Sequence, residues 1–217
     1  MHRRLYIFDL DGTLLNTAPG ILDSYRAGLE AVGFPAAKEA VRRAVIGGPL
    51  LQNFMEQFSL DETDVKRAVK AYRLYYEKTG IHQAEVYPGT KRLLSAMRRD
   101  GAFCAVATLK RADFARSILQ EFGLFSYFDC IEGMDRSDTL TKSALILRCM
   151  HACGVSCTET LMIGDSIFDA EGAREAGVPF AGVLHGFGFS AEQEVYACGG
   201  IMAAADFCVL SRILCSL

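Results

Sequence analysis

The first apolar run, Leu5-Tyr6-Ile7-Phe8, is short, continuous and broken by Asp9 and Asp11 of FDLDGTLLNT. Such a run, bounded by polar residues, predicts a strand buried on both faces. From residue 17 the rhythm becomes helical. Leu22, Tyr25, Leu29 and Val32 recur at helical spacing until Gly33 and Pro35 stop them, and Leu51, Phe54, Met55 and Phe58 repeat the pattern. Ser59 with Glu62 predicts a capping box for a further helix carrying Val65, Val69, Tyr72 and Tyr76 and ending near Gly80. Residues 17–83 therefore predict an all-helical insert whose tyrosine stripe is core. After Val86 short β-rich runs alternate with helical ones. Helices are predicted over 90–100, 112–122, 142–153 and 169–176, and strands over 103–108, 128–132, 160–164, 180–184 and 207–210. Alternation of this kind specifies an α/β fold, a Rossmann-like doubly wound parallel sheet, built from residues 1–16 and 84–217 around the helical insert.

That topology gives the acidic pair a place. Ligands bind open parallel sheets outside the carboxyl ends of the strands. Asp9 and Asp11 end the first strand, Thr108 ends AVAT, and Asp165 follows TLMIG. Four polar groups from three strand ends are thus predicted to face one crevice. Asp9 and Asp11, two residues apart on an extended chain, point the same way. Carboxylates that close repel, so either one is protonated or a cation lies between them.

Composition narrows the class without choosing a function. The chain has 217 residues, 51% hydrophobic and 23% charged, enough for a core without staples. A net charge of −3 argues against a nucleic-acid polymer as partner. The start MHRRLYIFDLD is basic, but its apolar run is too short for a signal peptide, and no segment predicts a membrane span. Eight cysteines, mostly within apolar runs, predict reduced thiols and a cytoplasmic protein. Cys149, Cys153 and Cys157 recur every fourth residue, a spacing that suits small core residues better than a metal cluster.

The chemistry these groups suit is phosphoryl transfer, which needs an in-line nucleophile, a proton donor for the leaving oxygen and cations over the equatorial oxygens. Asp9 suits the nucleophile, and Asp11 the general acid that protonates the leaving group and then, as base, activates water. Magnesium, which takes oxygen ligands, suits Asp9 and Asp165 with the Asp11 carbonyl. Asp169, at i+4 from Asp165 in GDSIFDAEGA, is expected to hold a metal-bound water or to position Lys142. A helix N-cap at Asp165 or Ser166 and a first-turn dipole partner at Asp169 are compatible structural roles. The Thr108 hydroxyl suits a phosphoryl oxygen. Lys142 is the only lysine after Lys110, and it falls in the first turn of a helix, where its charge is unfavourable unless offset. FDLDGT lacks the spacing of a calcium loop, and HGFGF at 185–189 lacks the third glycine and the helix of a dinucleotide site, so His185 reads as a loop residue near the entrance.

In order along the chain, DxDGT at Asp9–Thr13, Thr108, Lys142 and GDxxxD at Gly164–Asp169 resemble the four motifs of the haloacid dehalogenase-like hydrolase superfamily. The resemblance implies a C1-type cap for residues 17–83, closing over the core and gating entrance and release. It is nearest to the phosphoglycolate phosphatase-like and 5′-nucleotidase-like branches, whose cap carries an IGPPL-type stretch. Here that stretch reads Ile46-Gly47-Gly48-Pro49-Leu50, and no proline follows Lys142. Gly48, Thr108, Leu109 and Lys110 are the implied substrate contacts. Arg42, Arg43, Lys110 and Arg111 either meet a second anionic group or are solvated surface charges. The expected activity is magnesium-dependent hydrolysis of a small phosphorylated metabolite, such as phosphoglycolate or a nucleoside monophosphate, through an aspartyl-phosphate. The alternatives are a phosphomutase and a non-catalytic phosphate-sensing module. The protein is expected to work as a monomer or homodimer, away from any membrane.

Overall fold

The strand expected at the amino end is β1 (Leu5–Phe8), buried along its whole length. The structure is a computed structural model and describes residues 4–135, 137 and 139–215, so Arg3 of the basic start lies outside it. After a tight loop come β2 (Leu15–Asn16) and then α1 (Ala18–Ala31), α2 (Ala37–Ala40), α3 (Leu50–Phe58) and α4 (Glu62–Lys78). The rest runs β3 (Glu85–Val86), α5 (Thr90–Arg99), β4 (Phe103–Arg111), α6 (Ala112–Glu121), β5 (Cys130–Met134) and α7 (Lys142–Cys153). It closes with β6 (Thr160–Gly164), α8 (Ile167–Glu175), β7 (Phe180–Val183), α9 (Glu192–Ala197), β8 (Met202–Ala204) and α10 (Phe207–Cys215). No helix of the described residues is long and apolar enough to cross a membrane.

Two compact units result, one of residues up to Asn16 and from Val86 onward, the other Thr17–Glu85. The first is built on a six-stranded sheet of order β5-β4-β1-β6-β7-β8, and every pairing in it is parallel. Strand β1 lies between β4 and β6, which brings the three chemistry-bearing strand ends side by side. Its side chains alternate between two cores. Leu5 and Ile7 join Leu145, Ile146 and Cys149 of α7 and Met162 of β6. Phe8 instead meets the rings of Phe128 and Phe207 edge-on, at 6.3 and 6.1 Å. Burying each such side chain stabilises the fold by roughly 1.5–3 kcal/mol. Asp9 has the parity of Leu5 and Ile7, so it faces the layer that α7 covers.

The second unit packs α1 against α4 around Tyr25, Phe54, Phe58 and Tyr72, whose rings lie 5.1–6.2 Å apart. Tyr72 and Tyr76 are buried as expected, with rings stacked at 6.1 Å. A Cβ on Gly28 would lie 2.8 Å from the Ala68 carbonyl, so the absence of a side chain there lets α1 approach α4. Leu51 and Met55 of the expected apolar face are exposed, while Phe54 and Phe58 carry the packing.

Several expectations need correction. Ser59 does not cap α4; it terminates α3 in the left-handed region at φ +53, and the cap is Asp61, whose Oδ1 accepts from the amides of Thr63 and Asp64 at 2.9 Å. The strand expected over 207–210 is instead the start of α10, because a short apolar run alone cannot separate a strand from a buried helical turn. Asp206 is the missed signal: its carboxylate accepts from the Val209 amide at 2.8 Å. The last strand is β8, and the apolar pattern does not announce the short helices α2 and α9. Helix α8 starts at Ile167 rather than 169, and β5 runs 130–134 rather than 128–132. The fourfold cysteine spacing does not run along one helix face, since α7 ends at Cys153 with Gly154 at φ +63.

Candidate active site

At the carboxyl end of β1 the Asp9 amide still donates to Ile163 of β6, at 2.9 Å, so the ladder holds Asp9 at the lip of the sheet. The chain then turns at Gly12, with φ +83. A Cβ on that glycine would lie 2.4 Å from Oδ2 of Asp165, so a side chain is excluded both by backbone conformation and by the neighbouring carboxylate. The turn carries Thr13 inward, fully buried, where its hydroxyl donates to Asp165 Oδ1 at 2.8 Å.

Asp165 is held from a second side. The amides of Phe187 and Gly188 donate to its Oδ2 at 2.8 and 3.3 Å. These belong to the 185–189 stretch, whose backbone amides hold the Asp165 carboxylate. Gly186 is required there, because a Cβ on it would fall 2.3 Å from Asp165. His185 braces the same loop: its Nε2 lies 3.0 Å from the Thr13 carbonyl, so Nε2–H donates, and its ring packs on Tyr87 at 4.2 Å.

Lys142, first residue of α7, reaches Asp9 Oδ1 and Asp169 Oδ1, both at 2.6 Å. The other Asp169 oxygen accepts from the amide and hydroxyl of Ser166 at 3.0 and 2.7 Å, capping α8. Asp169 therefore lies on Lys142 and also serves as a first-turn partner of α8. One oxygen each from Asp9, Asp165 and Asp169 falls within 4.8 Å of the others, and all three residues are buried. One ammonium does not balance three carboxylates. Burial, helped by Asp169, Asp165 and Asp11, pushes Asp9 up to about 8 despite Lys142. Burial and Asp169 push Asp165 up to about 6 against the Phe187, Thr13 and Gly188 donors. Burial alone would lower Lys142, yet Asp169 and Asp9 drive it above its ordinary value. A cluster so short of positive charge, lined by hard oxygen donors, fits a divalent cation of the magnesium type.

Asp11 faces a different partner. Lys110 holds both its oxygens, at 2.9 and 2.8 Å. The Lys110 side chain is only 7% exposed, so it is not the solvated surface charge the sequence allowed. Thr108, buried, accepts from the Lys110 amide at 3.2 Å, which leaves its own hydroxyl proton for another acceptor. Leu109 is half-buried between them. Arg111 pairs with Asp113 and lies 4.5 Å from the centre of the Phe114 ring. In the other unit Gly48 takes φ +74 in the connection before α3, and Arg42 and Arg43 are exposed. Sequence reasoning missed Thr13 and the 187–188 amides as holders of Asp165, and Lys110 as a partner of Asp11.

The model of the haloacid dehalogenase-like hydrolase family matches residues 6–183. A 5′-nucleotidase of Pseudomonas aeruginosa is 36% identical over 96% of this chain and 94% of its own. A phosphoglycolate phosphatase of Vibrio vulnificus is 30% identical over 85% of each chain. The crystal structure of a predicted phosphatase from Clostridium acetobutylicum superposes with a TM-score of 0.90 at 31% identity, over the whole of both chains.

Proposed function

Since the chain belongs to the haloacid dehalogenase-like hydrolases and is a phosphatase of that family, we propose that it is a magnesium-dependent phosphomonoesterase of small phosphorylated metabolites working through phospho-Asp9. The observation that carries the proposal is the buried set Asp9, Asp165, Asp169 and Lys142 beside Asp11. Asp9, Asp165 and Asp169 are the side chains to hold magnesium, which when bound supplies charge neutralisation for the transferring phosphoryl group.

Lys142 keeps the Asp9 carboxylate oriented for in-line attack on phosphorus and adds positive charge beside the equatorial oxygens. The Thr108 hydroxyl donates to one of those oxygens. As the ester bond breaks, Asp11 gives its proton to the leaving oxygen; in the second half it takes a proton from the water that attacks phospho-Asp9. Nucleoside monophosphates and 2-phosphoglycolate are the substrates to try first, on the strength of the relatives' names. All eight cysteines are free, which suits a reducing cytoplasm.

Asp9→Asn removes the nucleophile and is expected to lower phosphate release by about 10⁴-fold or more across an ester panel. Chelation should abolish turnover of the wild type, and added magnesium should restore it. Retained activity in the Asp9→Asn variant overturns the covalent mechanism.

A further inference from the structure

The contact between Lys110 and Asp11 has a structural cause that the motif residues do not explain. From Thr108 to Arg111 strand β4 takes three residue steps, while β5 takes one from Gly133 to Met134. The two surplus residues, Leu109 and Lys110, form a bulge in β4, and from it the Lys110 ammonium reaches Asp11 at 2.8 Å. Two details pin the bulge. The Lys110 amide donates to the Thr108 hydroxyl, and Gly133 leaves room for it: a Cβ there would lie 2.7 Å from the Lys110 carbonyl and from Ala112 Cα. The fold therefore spends a backbone irregularity and a bare glycine on bringing one cation to Asp11.

An ion-paired carboxylate accepts hydrogen bonds and donates none. Donation to the leaving oxygen is thus not the act this contact serves, whereas acceptance from a water is. On the phospho-Asp9 mechanism above, we propose that Lys110 is a positioning residue for the second half-reaction, holding the Asp11 carboxylate where it receives the proton of the attacking water. In that step the water oxygen bonds to phosphorus, the bond from phosphorus to the Asp9 oxygen breaks with its electron pair returning to Asp9, and the water proton passes to Asp11. Lys110 orients Asp11 and exchanges no proton itself.

The test is pre-steady-state hydrolysis of p-nitrophenyl phosphate by the magnesium-loaded full chain. Its nitrophenolate leaves without needing a proton, so phosphorylation of Asp9 is insensitive to Asp11. In Lys110→Met the expected result is a nitrophenolate burst approaching one equivalent per site, then a steady state about 10²-fold slower than wild type. KM should fall in proportion, leaving kcat/KM within about threefold of wild type. Acid-quenched protein should carry phosphate on Asp9. Lys110→Arg, which keeps a cation, should recover most of the rate. Gly133→Ala, which moves the bulge without removing a polar group, should show the same burst in weaker form. A fall in kcat and kcat/KM together with no burst, or an unchanged steady state, overturns the assignment of Lys110. A wild type that never carries phosphate on Asp9, even when quenched within one turnover, overturns the covalent mechanism instead.

Discussion

Lys142 shows how a single residue becomes legible. It occupies the first turn of α7, the helix end that repels positive charge, and it stands out in the sequence because no other lysine follows Lys110. The offset it requires is visible as two ion pairs at 2.6 Å. Lys142→Met keeps the stem packed but leaves Asp9 and Asp169 without their ammonium. A loss of about 3 kcal/mol in urea denaturation is expected, with activity reduced about 10²-fold or more. Magnesium should recover part of the stability but not the rate, because the ion neutralises the carboxylates without replacing the ammonium. Lys110 gives no comparable signal. Its partner Asp11 is 99 positions away in sequence, and only the bulge of β4 selects the lysine over the neighbouring arginine.

At the level of elements, caps decide boundaries that apolar periodicity leaves open. Asp61→Ala should cost about 1 kcal/mol in denaturation, since two α4 amides lose their acceptor. Activity per folded molecule should stay unchanged. Ser59→Gly should cost nothing, because φ +53 suits glycine better than serine; a loss there similar to that at Asp61 would restore the capping box. The same principle separates α10 from the strand expected in its place. Phe207-Cys208-Val209-Leu210 is apolar enough for either, and the preceding Asp206 resolves it. The buried parallel strands β1 and β6 were legible because they are apolar on both faces.

For the whole molecule the charge imbalance of the site has a consequence for stability. Asp9 and Asp165 have folded-state values raised to about 8 and about 6, above the ordinary carboxylate range. Between about pH 4 and 8 the chelated native state therefore binds more protons than the unfolded chain, and stability falls as pH rises. Saturating magnesium should reverse much of that fall, adding about 2.7 kcal/mol at a hundredfold excess over its Kd. Melting curves at pH 5.5 and 8, each with chelator and with magnesium, check both signs. A melting temperature indifferent to magnesium at pH 8 would remove the metal from the site.

Local chemistry in the amino-acid order was enough to declare an α/β sheet, a helical insert and the acids at the strand ends, because short-range patterning dictates burial and turn. What waited for the tertiary structure was the set of pairings made by proximity alone: Thr13 and the 187–188 amides on Asp165, Lys110 on Asp11, and Lys142 on Asp9. Those contacts join residues from 22 to 152 positions apart. No local pattern encodes them, since they exist only where the packed sheet brings its strand ends together.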